Sequence, residues 1–221
     1  MEPVIKALLF DFDGTLVDTE SVDLRLWREV FEAHGVSVPA DRFALRIGTL
    51  TGPDELDELD ALLDAPCDRD AIRATRRRRE LDLLELEPLR PGVHGYLEQA
   101  RARGLSVGIV SSSSRSWIDR NLRRLGLLDG WTTVVCADGD KNRCKPSAAL
   151  YLEALKALGV EAGEAIAIED SPNGIIAARA AGIFCIAFPN DVTRGLDLSQ
   201  ADLLLESLDD MPLGELLERV G

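Results

Sequence analysis

Two aspartates stand two residues apart directly after a largely apolar segment near the amino terminus. Asp11 and Asp13 follow residues 4–10, whose apolar side chains predict a buried strand, and they open the stretch DFDGTLVDTE. Two carboxylates this close repel each other and lose hydration together, which costs free energy unless they share a cation or a proton. The spacing therefore predicts that a bound cation or a shared proton offsets the repulsion.

Other polar residues stand where later segments of the chain end. Ser111 closes an apolar run, the pair Glu169 and Asp170 closes another, and Lys145 precedes Pro146 in a loop. A residue before a proline is held extended, which restricts where the lysine side chain can point. Carboxylate oxygens are the ligands that Mg²⁺ prefers, while a hydroxyl and an ammonium group suit a phosphoryl group. Brought together, these residues are suited to phosphoryl transfer.

One carboxylate of such a site has to attack phosphorus. Asp11 is suited to in-line attack that yields an aspartyl phosphate. Asp13 is suited to protonating the leaving oxygen and later to accepting a proton from water. Gly14 allows a tight turn behind them. The predicted Mg²⁺ ligands are Asp11, Asp13, Glu169 and Asp170.

Alternating strands and helices must position these residues. Apolar runs predict strands at residues 4–10, 105–111, 133–136, 165–168 and 183–188, and helical periodicity predicts helices at 93–103, 115–125, 147–158 and 172–181. This alternation is typical of a Rossmann-like α/β fold, in which a parallel sheet carries helices on both faces. Ligands of such sheets bind at the carboxyl ends of the strands, where the polar residues stand.

A helical block interrupts this pattern after the first strand. Helices are predicted at 20–34, 41–47, 53–63 and 68–86, with no convincing strand between them. We therefore expect an α/β core formed by residues 1–16 and 88–221, and an inserted all-helical domain at 17–87. The arginine run at 76–79 is typical of a solvated helix face.

The composition of the chain indicates which binding partners and which cellular compartment to expect. The chain carries 25 Lys and Arg against 39 Asp and Glu, a formal net charge of −14, which argues against nucleic acid and anionic membranes as partners. The four cysteines have neither metal-ligand nor disulfide-framework spacing. The first residues lack the pattern of a signal peptide, and no run reaches membrane-spanning length. We expect a cytoplasmic monomer.

Four motifs in a fixed order resemble those of the haloacid dehalogenase-like hydrolase superfamily. They are DFDGTLVDTE, VSSSS, the lysine before a proline, and IEDSPNG, and the resemblance is strongest to its phosphatase and beta-phosphoglucomutase branch, which has a helical cap. It extends over essentially the whole chain. The resemblance implies that Asp11 is the nucleophile and that Asp13 is the general acid and base, with its backbone carbonyl on the metal. It also implies that Ser111 and Lys145 bind the phosphoryl group, and that Asp170 and Glu169 complete the Mg²⁺ site.

The resemblance also implies contacts to a small phosphorylated metabolite. The residues so implied are Ser113, Ser114, Arg115, Ser171 and Asn173. Independently of the resemblance, we also expect contacts from Gly14 and Ser112 and, from the cap, from Glu20, Arg46, Arg73 and Arg77. We expect the cap to close over the strand ends and to exclude water, with hinges at 16–18 and 88–91.

Two kinds of enzyme share the first chemical step, the transfer of a phosphoryl group to Asp11. One is a phosphatase of small phosphomonoesters such as sugar phosphates, and the other is a sugar phosphomutase of the beta-phosphoglucomutase type. The mutases have a cap histidine where this chain has Asp23, and an arginine where Thr49, Leu50 and Thr51 follow Gly48. These departures favour the phosphatase. Two other functions are less compatible with the sequence. A haloacid dehalogenase uses the same nucleophile but needs neither Asp13 nor a metal. A binding protein without catalytic activity would not need every catalytic position filled.

Overall fold

Parallel strands form one sheet in the computed structural model, which describes residues 4–38 and 43–221. In chain order the strands are β1 (Ala7–Phe10), β2 (Ser106–Ser111), β3 (Thr133–Cys136), β4 (Ala165–Glu169), β5 (Phe184–Ala187) and β6 (Leu203–Leu204). Across the sheet they lie in the order β3, β2, β1, β4, β5, β6, and every neighbouring pair is parallel. The predicted parallel α/β sheet is confirmed.

The strands are buried on both faces, which explains why their sequences are continuously apolar. In β1, Leu8 and Phe10 face one hydrophobic cluster while Ala7 and Leu9 face another. The same alternation holds in β4, because successive side chains of a strand point to opposite faces of the sheet. A strand in this environment must be covered by helices on both sides.

The inserted block between β1 and the rest of the sheet is helical. Its helices are α1 (Thr19–Ala33), α2 (Glu55–Leu62) and α3 (Arg69–Leu84), and no residue of 18–38 or 43–87 lies in a strand. Each helix begins at an aspartate whose carboxylate accepts a backbone N–H, namely Asp18, Asp54 and Asp68. Such N-caps satisfy donors that the helix cannot pair internally. Hereafter, residues 17–87 are called the helical insert.

Helices cover both faces of the sheet. They are α4 (Val93–Ala102), α5 (Arg115–Arg124), α6 (Ala149–Leu158), α7 (Pro172–Ala180) and α8 (Leu213–Val220). Side chains of α4, α5 and α8 join the cluster around Phe10, whereas those of α6 and α7 join the cluster around Leu9. The helices thus form two layers around the sheet, as expected for this fold class.

Two adjacent linkers join the helical insert to the sheet. Val17 forms an antiparallel bridge with Leu89, and the Arg90 N–H donates to the Leu16 carbonyl at 2.9 Å. The guanidinium of Arg90 also lies 3.6 Å from the ring centroid of Phe188. The two ends of the helical insert therefore leave the sheet side by side. The domain boundaries and the hinge function of 16–18 and 88–91 stay predictions.

Several features were not predicted from the sequence. The edge strand β6 and the terminal helix α8 were missed, and four of the residues of the predicted strand 183–188 form β5. The helix predicted at 41–47 falls partly on residues 39–42, which lie outside the described residues; Phe43 and Ala44 are helical.

The arginine run at 76–79 is more than a solvated face. The Arg76 guanidinium lies 4.6 Å from the ring centroid of Trp27, and Arg79 donates to Glu29 at 2.9 Å, so the run ties α3 to α1. None of the four cysteines, all within the described ranges, forms a disulfide. Within the described residues, every helix is too short or too polar to cross a bilayer.

Asp60 fixes the end of α2 to the loop before α3. Its carboxylate accepts the Cys67 backbone N–H at 2.7 Å and the Arg69 guanidinium at 2.9 and 2.6 Å. These hydrogen bonds, above all that from the Cys67 backbone, lower the pKa of Asp60 to about 2. Because the pKa is depressed on folding, the stabilisation is present above the unfolded value of about 4 and is lost as the pH falls towards 2.

We therefore expect Asp60→Asn to lower the melting temperature at neutral pH and to have a progressively smaller effect below about pH 4. Thermal unfolding followed by circular dichroism across this range measures the difference from the wild type. Asp64→Asn, at an exposed neighbouring carboxylate, is the matched control and should show little difference at any pH. An Asp60→Asn effect that does not change with pH would contradict the assigned charge interaction.

Candidate active site

The predicted site residues meet at the carboxyl ends of the three central strands. Asp11 directly follows β1, Ser111 ends β2 and Glu169 ends β4. β1 pairs with β2 on one side and with β4 on the other, with Phe10 opposite both Ile109 and Ile168. Since the strands are parallel and in register, Ser111 and Glu169 lie on either side of Asp11, although they are about 100 and 160 positions away from it in the sequence.

Lys145 is buried between two of these carboxylates. Only 1% of the residue is exposed, and its Nζ contacts Asp11 Oδ1 and lies 2.6 Å from Glu169 Oε1. Burial alone would lower the pKa of this lysine, but the charges of Asp11 and Glu169 outweigh burial and raise it. The Tyr151 hydroxyl also donates to Glu169 Oε1, at 2.5 Å. The lysine is therefore held as a fixed positive charge.

Three buried carboxylates surround this lysine. Asp11, Glu169 and Asp170 each offer an oxygen within 4.8 Å of the others. Burial, followed by the repulsion between the neighbouring carboxylates, raises the pKa of Asp170. For Asp11, burial is likewise the main cause of a raised pKa, which the charge of Lys145 partly counters. One ammonium group leaves the cluster with an excess of negative charge.

The same three carboxylates fit a divalent cation. Among the described residues, neither Glu169 Oε2 nor Asp170 Oδ1 has a hydrogen-bond partner, although both atoms are buried. Unpaired buried oxygens of this kind are costly unless another group binds them. Hard carboxylate oxygens in a compact group are the donor set that suits Mg²⁺. Asp11, Glu169 and Asp170 could therefore hold the metal through their side chains.

A glycine and an asparagine fix the position of Asp170. Asn190 Nδ2 donates to Asp170 Oδ2 at 2.8 Å and to the Gly14 carbonyl at 3.3 Å, and Arg90 donates to the same carbonyl at 2.7 Å. Gly14 has a φ of 79°, and a side chain at this position would collide with the Asp170 carboxylate. Gly14 therefore serves both the turn and the close approach of the two loops.

Asp13 lies apart from the cluster of three carboxylates. Its Oδ2 accepts the Ser113 hydroxyl at 2.6 Å, and its Oδ1 accepts the Trp117 indole N–H at 2.8 Å and the Thr19 hydroxyl at 3.1 Å. Burial and then the charge of Asp11 raise the pKa of Asp13, while these three hydrogen bonds lower it. Its role as a metal ligand through the backbone carbonyl stays a prediction.

The serine loop, which consists of residues 111–114 at the end of β2, contacts several parts of the site. Ser111 is buried, and its hydroxyl lies 3.5 Å from Asp13 Oδ2 and accepts the Ser113 N–H at 3.0 Å. The Ser112 hydroxyl accepts the Lys145 backbone N–H at 3.2 Å and donates to the Gly48 carbonyl of the helical insert at 3.0 Å. The loop thus touches Asp13, the lysine segment and the helical insert at once.

The helical insert covers the strand ends and leaves a small cavity of about 140 Å³. The sheet side of its wall contains Asp11, Asp13 and the first three serines of the serine loop. Glu20, Asp23 and Arg46 are charged residues that the helical insert contributes. Asp23 pairs with Arg76, and Arg46 pairs with Glu55. Burial, followed by the charges of Asp170, Asp13 and Asp11, raises the pKa of Glu20.

Other predicted substrate contacts have different partners. Arg115 is exposed, and its guanidinium bonds Asp119 at 2.7 Å. Asn173 Nδ2 donates to the Ile47 carbonyl at 2.8 Å, so it links the sheet to the helical insert. Ser114 and Ser171 are the N-caps of α5 and α7. The structure does not place these four residues on the cavity wall.

The two remaining arginines proposed as cap contacts also lie away from the cavity. Arg73 is 3.7 Å from Asp54. Arg77 pairs with Glu80 at 2.6 Å, and its guanidinium lies 5.2 Å from the ring centroid of Trp117.

Five residues at the site were not found by sequence reasoning. They are Thr19, Arg90, Trp117, Tyr151 and Asn190. Tyr151 lies in the first turn of α6, after the loop that carries Lys145, and Trp117 lies in the first turn of α5, after the serine loop. An aromatic residue with a polar tip, placed one helical turn behind a catalytic loop, is a signal that could have identified both.

Comparisons with known proteins identify the family of the chain. Residues 5–182 match the family described as haloacid dehalogenase-like hydrolase. YhcW of Bacillus subtilis strain 168, named as a candidate phosphatase, is 39% identical over 218 residues that cover 99% of each chain. Validoxylamine A 7'-phosphate phosphatase of Streptomyces hygroscopicus subsp. limoneus is 32% identical over 93% of this chain and 95% of its own.

A solved structure shares the fold over nearly the same length. CbbY from Rhodobacter sphaeroides, in complex with xylulose-(1,5)bisphosphate, superposes with a TM-score of 0.72 at 29% identity, covering 94% of this chain and 96% of CbbY. The names of YhcW and the validoxylamine enzyme support a phosphoric monoester hydrolase. The matched residues and these relatives show that the chain belongs to the haloacid dehalogenase-like hydrolase family.

Proposed function

We propose that the protein is a Mg²⁺-dependent phosphatase that hydrolyses small phosphomonoesters, such as sugar phosphates, through an aspartyl phosphate on Asp11. One observation carries the proposal. Asp11, Asp13 and the serine loop line a single cavity, while Lys145 contacts Asp11 from the buried side. A nucleophile, an acid and base, and phosphate-binding donors thus face the same small space.

In the first step, Asp11 attacks phosphorus and the ester oxygen leaves. Ser111 and Lys145 hold the phosphoryl oxygens, because a hydroxyl donor and a fixed positive charge stabilise the charge that these oxygens carry in the transition state. Asp13 protonates the leaving oxygen, and its raised pKa suits it to carry that proton. The products of this step are an alcohol and the phosphorylated Asp11.

In the second step, water hydrolyses the aspartyl phosphate. Asp13, now a carboxylate, accepts a proton from the attacking water, and inorganic phosphate leaves with Asp11 restored. Asp11, Glu169 and Asp170 would hold Mg²⁺ through their side chains, with the Asp13 backbone carbonyl as a further ligand. When bound, this ion supplies positive charge that offsets the carboxylates and the phosphoryl group.

The relatives support the substrate class. One is named for validoxylamine A 7'-phosphate, CbbY was solved with xylulose-(1,5)bisphosphate, and a relative from Thermotoga maritima is named phosphorylated carbohydrates phosphatase. All three names concern small phosphorylated molecules. The cavity of about 140 Å³ has room for a phosphoryl group and a small organic group attached to it.

We expect the purified protein to release inorganic phosphate from members of a panel of sugar phosphates when Mg²⁺ is present. Asp11→Asn should lower kcat by at least about a thousandfold, because the nucleophile is lost. Asp191→Asn, at an exposed carboxylate, is the control. Absence of phosphate release across the panel would refute the proposal, and conversion of glucose 1-phosphate into another sugar phosphate without release would indicate the mutase instead.

We also expect Mg²⁺ to raise the melting temperature of the wild type by several degrees, because a ligand that binds only the folded state stabilises it. Asp170→Asn should lose this increase, and without Mg²⁺ it should melt no lower than the wild type, since one repelling carboxylate is gone. Differential scanning calorimetry with and without chelator measures both effects. An equal Mg²⁺ shift in both proteins would place the metal elsewhere.

A further inference from the structure

Trp117 links the proposed acid and base Asp13 to the helical insert. It lies in the first turn of α5, whose N-cap Ser114 accepts the Trp117 backbone N–H at 3.3 Å. The indole N–H donates to Asp13 Oδ1 at 2.8 Å. The ring packs against the hydrophobic cluster that Val22, Leu26 and Leu84 form in the helical insert. One side chain therefore touches both the catalytic loop and the insert.

The hydrogen-bond donors to Asp13 have different degrees of freedom. The Thr19 hydroxyl accepts the Gly14 N–H at 3.1 Å, so its own proton is directed to Asp13 Oδ1. The indole N–H can only donate, and its direction follows the ring. Both of these fixed donors bind Oδ1. The donors to Oδ2 are the hydroxyls of Ser113, at 2.6 Å, and of Ser111, at 3.5 Å, and hydroxyls can rotate.

The position of the indole is itself fixed by contacts on its other side. The guanidinium of Arg77, on α3 of the helical insert, lies 5.2 Å from the ring centroid, and Glu80 holds that guanidinium at 2.6 Å. A ring packed in this way has little freedom to turn its N–H away from Asp13. Fixed donors of this kind hold a carboxylate in one orientation in the ground state and in the transition state.

From these contacts we infer that Trp117 is a positioning residue, which fixes Asp13 Oδ1 so that Oδ2 faces the serine loop and the cavity for proton transfer to the leaving group. This inference rests on the proposed phosphatase function. Its consequence is that loss of the indole N–H impairs the step in which the ester oxygen leaves, and does so most for leaving groups that need a proton.

Two aryl phosphates of similar shape separate this role from a structural one. The p-nitrophenolate group leaves readily as an anion, whereas phenolate is more basic and depends more on protonation. The parameter to compare is kcat/KM, since it reports steps up to the first irreversible one, here the transfer of the phosphoryl group to Asp11. Hydrolysis of the aspartyl phosphate, which both substrates share, then does not affect the comparison.

We expect Trp117→Phe, which keeps an aromatic ring and loses the N–H, to lower kcat/KM for phenyl phosphate about tenfold more than for p-nitrophenyl phosphate. Trp117→Leu should change the ratio to the same extent, since it also lacks the donor. Arg77→Met, which removes the contact on the ring and keeps the indole N–H, is the matched control and should change the ratio less. An inactive fraction of any preparation cancels from the ratio.

The results for the Trp117 variants test the positioning role, and the results for the wild type test the proposed function. If Trp117→Phe lowers kcat/KM equally for both esters, or changes only KM, the inference is wrong and the indole contributes packing alone. If the wild type hydrolyses neither ester nor any member of the sugar phosphate panel, the proposed function itself fails. A selective loss for phenyl phosphate in both Trp117 variants supports the positioning role.

Discussion

The ion pair of Lys145 with Asp11 and Glu169 is the interaction on which the site depends. A buried ammonium group and buried carboxylates are each costly alone, and removing one partner of a buried pair costs about 3–5 kcal/mol. The three residues come from three distant parts of the chain, so their contact requires β1 and β4 to lie in register and the loop that carries Lys145 to fold back over them. The site can therefore form only when the sheet is complete.

The excess of carboxylates around this lysine is what gives the site its chemistry. A structural site would match charges one to one, whereas here three buried carboxylates face one lysine and two of their oxygens have no partner among the described residues. This imbalance costs free energy unless a cation or a proton offsets it. The stability of the protein and the binding of Mg²⁺ are thus expected to be coupled. Tyr151 and Asn190 reduce the imbalance by donating to Glu169 and Asp170.

The sequence predicts the strands and the residues at their ends well, because continuous apolar runs and the motifs beside them are local features. Asp11, Ser111, Glu169 and Asp170 lie at the carboxyl ends of strands, as predicted, and Lys145 reaches them from the loop after β3. Contacts between residues that are distant in the sequence are harder to predict from it. Trp117 and Asn190 reach the site through tertiary packing, and the two residues of β6 are too few to show a period. Arg115 and Asn173 follow the correct loops, but Asp119 and the Ile47 carbonyl bind their side chains.

The two aspartates that stand two residues apart acquire different environments, and this difference fits the two roles proposed for them. Asp11 faces Lys145 and the other carboxylates, so its partners are charged and suit a group that bonds to phosphorus. Asp13 faces an indole, a threonine and a serine, all neutral donors, which leave its charge free to change with each proton transfer. Successive residues of an extended chain point in opposite directions, so residues at i and i+2 would share one face in a regular strand. The turn at Gly14, with its positive φ, follows Asp13 and brings the loop into close approach with Asp170. The proposed nucleophile and the proposed acid and base thus lie on the wall of one cavity with different partners.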